Sequence, residues 1–140
     1  ASAFFGGLAG NAGLFSTARD VARVYQMLLN GGEIDGQRYL SKETCQLFTT
    51  ETSKISRRGL GFDKPDADDP KKGNCAPAAP AEVYGHTGFT GTCAWVDPMN
   101  ELVYVFLSNR IYPDVTNRKL NQLHIRERIQ GAIYDAMKKK

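Results

Sequence analysis

Apolar positions first fall into a helical rhythm at Val21, Val24, Tyr25, Leu28 and Leu29. Spacings of three and four residues put these side chains on one helix face. Thr17-Ala-Arg-Asp20 just ahead has the shape of a capping box, with Asp where Glu or Gln is usual. Asn30-Gly31-Gly32 ends the run, since glycine readily takes the left-handed conformation that closes a helix. A second, shorter helix is predicted from Ser41, another residue suited to an N-cap, with Cys45, Leu47 and Phe48 facing inward. Near the end, Ile125, Ile129, Ala132, Ile133 and Ala136 form a stripe that predicts an amphipathic helix running to Met137.

Between these helices the pattern changes. Arg58 to Phe62 reads as a short strand, and further strands are predicted from Val83 to about Gly88, from Cys93 to Val96 and from Leu102 to Leu107. The last of these, "LVYVFL", is apolar at every position and calls for cover on both faces. Asp97-Pro-Met-Asn100 is a turn. The stretch Asp63 to Pro80 is rich in Pro, Ala and charge, too long for a tight hairpin, and expected to be a mobile loop. Helices first, a strand meander next and a closing helix describe an α+β domain with an antiparallel sheet flanked by helices, rather than alternating βαβ units.

Composition narrows the possibilities. With 140 residues the chain is one domain's worth, taken as residues 1–140, and its net charge is +3. Part of that charge is the terminal Lys138-Lys139-Lys140, and no basic stripe with interleaved aromatics points to nucleic acid. No apolar run is long enough for a membrane span, and the opening "ASAFFGG" lacks the regions of a signal peptide. Cys45, Cys75 and Cys93 are odd in number with no close pair, which argues against a disulfide framework and a zinc knuckle. They read as two buried thiols and one in a loop.

One stretch asks for chemistry. "YGHTGFTGTCAWVDP", Tyr84 to Pro98, places one of the chain's two histidines among Gly85, Gly88 and Gly91. A phosphate loop does not fit, because the spacing is wrong, no Lys follows and a strand comes next. A metal site does not fit either: His86 and His124 are far apart and neither has a carboxylate or thiol at ligand spacing. No cofactor is implied. A His-Thr-Gly at the start of a sheet strand can instead offer an imidazole, a hydroxyl and an approachable backbone. The N–H after the glycine can then face a developing oxyanion, worth about 3 kcal/mol in an acyl-transfer site. A histidine merely satisfied beside a bend is the plainer alternative.

Two blocks carry a family resemblance. "GGLAGNAGLFSTARDVARVYQMLLNGG", Gly6 to Gly32, is similar to the segment that follows the active-site tyrosine in class C β-lactamase-like serine hydrolases. "YGHTGFTGTCAWVDPMNELVYVFLSNR", Tyr84 to Arg110, resembles the third catalytic box of the same penicillin-binding-protein-like family, with His86-Thr87-Gly88 in place of Lys-Thr-Gly. The blocks occur in the family's order and the likeness covers nearly the whole chain, weakest over Asp63 to Pro80. It implies the C-terminal part of the β-lactamase/transpeptidase-like fold. It also implies roles. His86 would orient groups near the nucleophile. Thr87 would hydrogen-bond a substrate carboxylate or amide. Gly88 would let substrate lie against the strand, and the Phe89 backbone N–H would be half of the oxyanion hole. Asn11 stands where the family often has His, with no role assigned.

The departures from the family pattern are equally informative. No serine in the chain has a lysine three places on, and no tyrosine has an asparagine two places on. The Ser-x-x-Lys and Tyr-x-Asn boxes are therefore missing, and the chain is expected to be a C-terminal fragment, inert alone. Histidine for a permanently charged lysine tilts the parent toward an esterase, amidase or peptidase acting on a small-molecule or peptidoglycan-like substrate. A non-catalytic peptide- or glycan-binding module of the same fold is the alternative. By resemblance alone the parent is periplasmic or secreted. Apolar surface and a sheet edge left bare by the missing half, including Phe4 and Phe5, are expected to make the fragment self-associate.

Overall fold

A computed structural model describes residues 4, 6–7, 9, 13–50, 53–69 and 72–138. Asn11 and Phe5 lie outside the described residues. The first helix, α1 (Ala18–Leu29), begins at Thr17, whose hydroxyl accepts from the Asp20 N–H and also bonds the Asp20 carboxylate at 2.8 Å. A short hairpin follows, β1 (Glu33–Ile34) with β2 (Gln37–Arg38). Its turn residues Asp35 and Gly36 both have positive φ, 53° and 76°. Asp-Gly is a standard signal for such a two-residue turn. Helix α2 (Lys42–Thr49) is capped by Ser41, which accepts from the Thr44 N–H.

The main sheet has three antiparallel strands in the order β3 (Tyr84–Thr87), β4 (Cys93–Asp97), β5 (Leu102–Phe106). Tyr84 pairs with Val96 and Thr87 with Cys93, while Cys93 pairs with Phe106 and Asp97 with Leu102. Every β4 residue is buried, as a central strand covered on both faces requires. Helix α1 packs on one face against β4 and β5. There Phe62 bridges Tyr25 of α1 and Tyr84 of β3, with ring centroids 6.2 and 5.3 Å away. The other face carries Cys93, Trp95 and Tyr104, which cluster with Cys75, Val83 and Ile133. After a short helix α3 (Lys119–Gln122), helix α4 (Ile125–Met137) covers that face.

Four sequence expectations need correction. Arg58 to Phe62 is not a strand: Gly61 has φ 106° and donates to the Gly59 carbonyl, while the Gly59 N–H bonds the Phe62 carbonyl, so the chain folds on itself. Only Asp63 reaches the sheet, bridging Gly85. In α2 Cys45 is buried, but Leu47 and Phe48 are exposed. In α4 the buried residues are Arg126, Gln130 and Tyr134, whereas Ile129, Ala132 and Ala136 face outward. The polar tips explain the rotation of α4. Gln130 accepts from the Ala76 N–H at 2.8 Å, Tyr134 donates to Asp97 at 2.8 Å, and the Arg126 carbonyl accepts from the Tyr104 hydroxyl at 3.1 Å. Apolar periodicity does not register a helix face held by hydrogen bonds. Finally, all three thiols are buried, Cys75 included although it lies in the loop.

That loop enters the core at both ends. Asp63, Lys64, Cys75 and Ala76 are buried, and Asn74 donates to Asp63 at 2.8 Å. No helix among the described residues is long and apolar enough to cross a membrane.

Candidate active site

The glycine-rich stretch around His86 is shaped by close contacts. A Cβ on Gly85 would lie 2.1 Å from the Ala94 carbonyl oxygen and 2.7 Å from Trp95 Cε3, so this strand position admits no side chain. A Cβ on Gly88 would meet Thr92 Oγ1 at 2.3 Å across the β3–β4 turn. Gly91 has φ 94° and faces Ser108. The turn is closed by the Gly88 N–H on the Thr92 carbonyl at 2.8 Å and the Gly91 N–H on the Gly88 carbonyl at 2.9 Å. All three glycines are thus accounted for by the fold itself.

Backbone alternation then decides what the strand offers. Along an antiparallel pair, successive residues turn their N–H and C=O groups alternately toward and away from the partner. Gly85 faces away from β4, because its N–H and carbonyl both bond Asp63, at 3.1 and 2.7 Å. Gly88 faces β4's side through its bond to Thr92. Thr87, the last residue of β3, therefore faces the outer edge beyond the point where Asp63 covers it, and Phe89 lies two residues on in the turn closed by Gly88 and Gly91. Among the described residues the Phe89 N–H has no acceptor. Its side chain is 71% exposed and stacks on Arg110, whose guanidinium carbon lies 5.0 Å from the ring centroid.

His86 is exposed and shares a sheet face with its partner Ala94, while Thr87 is half-buried and pairs with Cys93. Neighbouring strand residues point to opposite faces. What His86, Thr87 and Phe89 have in common is their place at the end of β3 and the start of its turn. The imidazole is held at both nitrogens: Nε2 lies 2.8 Å from an Arg58 guanidinium nitrogen and Nδ1 lies 2.6 Å from the Thr87 carbonyl oxygen. A guanidinium only donates and a carbonyl only accepts. Nε2 must therefore accept, and Nδ1 must carry the hydrogen.

Arg58 went unnoticed in the sequence, 28 residues before His86. The tandem Arg57-Arg58 was the available signal. The structure divides the labour between the two. Arg57 grips buried Asp63 through Nε at 2.7 Å and Nη2 at 3.0 Å, with Asp66 at 3.8 Å. Burial works against the Asp63 carboxylate, but hydrogen bonds from Arg57 and Asn74 outweigh it and hold its pKa below the ordinary value. The Asp63 main chain bridges Gly85, so the same anchor brings Arg58 to the β3 edge.

Thiol chemistry is not prepared here. Burial pushes Cys75 up to about 12 and Cys93 up to about 11, with Asp63 adding to the first, and such thiols are poor nucleophiles. Among the described residues no group of three or more His, Cys, Asp or Glu side chains could hold a metal ion. A cleft of about 610 Å³ opens between α1, α2 and the start of β3, lined by Leu28, Lys42, Cys45, Thr49, Lys64 and Tyr84 among others. It includes none of His86, Thr87, Gly88 or Phe89, so the chemically equipped surface is the strand edge and not the cleft.

The model of the family described as "Beta-lactamase" matches residues 2–127. This chain belongs to the beta-lactamase family. Its relatives include proteins named "Putative D-alanyl-D-alanine carboxypeptidase" from Escherichia coli O157:H7, 36% identical over 83% of this chain, and from Escherichia coli K12 and Salmonella agona, each 35% identical. This beta-lactamase-family chain spans about a quarter of the length of those relatives, 26% for the first. Among solved structures, a penicillin-binding protein homologue from Caulobacter crescentus aligns over 64% of this chain and 24% of its own, with 26% identity and a TM-score of 0.50. The α+β arrangement of antiparallel sheet and flanking helices is thus that of the beta-lactamase and penicillin-binding-protein fold.

Proposed function

We propose that this chain is the C-terminal portion of a single beta-lactamase-like domain in a serine hydrolase of the β-lactamase, DD-peptidase or esterase type. In that enzyme it contributes the His-Thr-Gly strand. The observation that carries the reading is the end of β3 and its turn, where the Phe89 N–H has no acceptor among the described residues. A substrate lying along this edge would take hydrogen bonds from the backbone of Thr87 and Phe89. Its reacting carbonyl would meet the Phe89 N–H as half of an oxyanion hole. Gly88 lets substrate lie against the strand, Thr87 offers its hydroxyl, and His86 orients groups near the nucleophile. The nucleophile itself belongs to a Ser-x-x-Lys box that this sequence does not contain, so the chain alone is inert. The carboxypeptidase name of its relatives favours a peptidoglycan-like substrate and a parent that is periplasmic or secreted.

The test is fluorophosphonate labelling followed by intact mass, on this chain and on a form extended upstream through a Ser-x-x-Lys serine. The expected outcome is a label on the longer form only. Absence of label on both would favour a non-catalytic peptide- or glycan-binding module of the same fold. A label on the short chain would refute the assignment of the nucleophile.

A further inference from the structure

Where α4 packs on the sheet, three buried polar atoms have no hydrogen-bond partner among the described residues: Trp95 Nε1, Arg126 Nε and Glu127 Oε2. Trp95 is 1% exposed, and the Arg126 and Glu127 side chains are 8% and 11% exposed. The function proposed above uses none of them. Buried polar groups in folded proteins are paired, with protein or with ordered water, so these three call for a partner.

The atoms belong to one neighbourhood. Tyr104, the register partner of Trp95, donates its hydroxyl to the Arg126 carbonyl at 3.1 Å, which sets the first turn of α4 against the sheet. The Arg126 guanidinium lies 3.7 Å from the Glu127 carboxylate through Nη2 and Oε1, leaving Nε and Oε2 to other partners. Cys93 stands two residues before Trp95, on the same face of the sheet. Burial dominates its thiol, and Arg126, Glu127, Tyr104 and Trp95 all act on it as well. Glu127 precedes Gln130 by three residues and Tyr134 by seven, so it shares the α4 face that reaches the core through hydrogen bonds.

We infer that this junction is a binding site for internal water, which bridges the first turn of α4 to the central strand β4. The donor set decides the ligand. Trp95 Nε1 and Arg126 Nε donate, and a carboxylate oxygen accepts. N–H donors do not hold a metal cation, and a carboxylate does not hold an anion. Water does both, accepting from the two N–H groups and donating to Glu127 Oε2, and it is small enough for a site enclosed by buried side chains. The inner face of α4 is then tied to the core at three levels: through water at Glu127, by Gln130 to Ala76 and by Tyr134 to Asp97.

The test is a crystal structure of the 140-residue chain at a resolution that shows ordered water, paired with NMR of the indole N–H of Trp95, the sole tryptophan. Water is expected within hydrogen-bond distance of Trp95 Nε1 and of Glu127 Oε2, as one molecule or as two in contact. In solution the indole proton should give water cross-peaks of opposite sign in NOESY and ROESY spectra, the signature of water held longer than at the surface. Glu127→Gln keeps an acceptor oxygen and should keep the cross-peak, whereas Glu127→Leu should lose it. Direct pairing of the three atoms in the crystal, an ion in the place of water, a dry junction, or a cross-peak that survives in Glu127→Leu would each overturn the inference. Unchanged amide dispersion shows that a variant folds. Should Glu127→Leu fail to fold, the wild-type crystal and Glu127→Gln decide the matter alone.

Discussion

Asp63 joins the stability of this domain to the geometry of its candidate site, and Asp63→Ala tests that link. The residue is 1% exposed and its carboxylate accepts four hydrogen bonds, two from Arg57, one from Asn74 and one from the Lys64 N–H. Breaking a buried ion pair by removing one partner costs about 3–5 kcal/mol. Arg57 keeps about a third of its side chain in water (30% exposed), so its donors can be rehydrated and the lower end applies. A net loss of about 3 kcal/mol follows. Urea unfolding followed by Trp95, the sole tryptophan, reads it as a lowered midpoint with an unchanged slope.

The pH dependence carries a sign. The folded Asp63 carboxyl is held below its ordinary pKa, whereas in the unfolded chain it titrates near 3.9. The unfolded state therefore binds its proton first as pH falls. The contribution from Asp63 is fully present above about pH 4 and is lost as pH drops through the folded-state value. The gap between wild type and Asp63→Ala should accordingly narrow in acid. A variant within about 1 kcal/mol of wild type at neutral pH, with the same acid profile, would refute the role given to this carboxylate.

Gly85→Ala should destabilise the sheet by about 3 kcal/mol or more, because the added Cβ meets the Ala94 carbonyl and the Trp95 backbone rather than a movable side-chain tip; a near-neutral melting temperature would contradict the strand packing. Self-association of the chain is expected from the open β3 edge and from exposed Leu14, Phe15, Ile55 and Phe48. Light scattering over a concentration series should show mass rising above that of one chain, and a monomer throughout would count against the fragment reading.

Local chemistry was legible along the chain wherever it acts over a few residues. Thr17 and Ser41 cap their helices as hydroxyls placed before an apolar rhythm should. The strands around Tyr84, Cys93 and Leu102 fall within a residue or so of their patterned runs, since alternation and turn residues are written in sequence. The His-Thr-Gly stretch was legible for the same reason, and so was its family. Other features depend on partners distant in the chain. Which face of α4 turns inward is decided by Ala76, Asp97 and Tyr104, none of them on that helix. The two glycines in Arg58 to Phe62 fold a segment whose composition suggested a strand. The charge beside His86 comes from Arg58, 28 residues upstream, carried there by the Arg57–Asp63 anchor and the Asp63–Gly85 bridge. Periodicity reports which positions are apolar. Which polar groups meet across the fold is decided by tertiary hydrogen bonds, and here those bonds place the cation at the edge of β3.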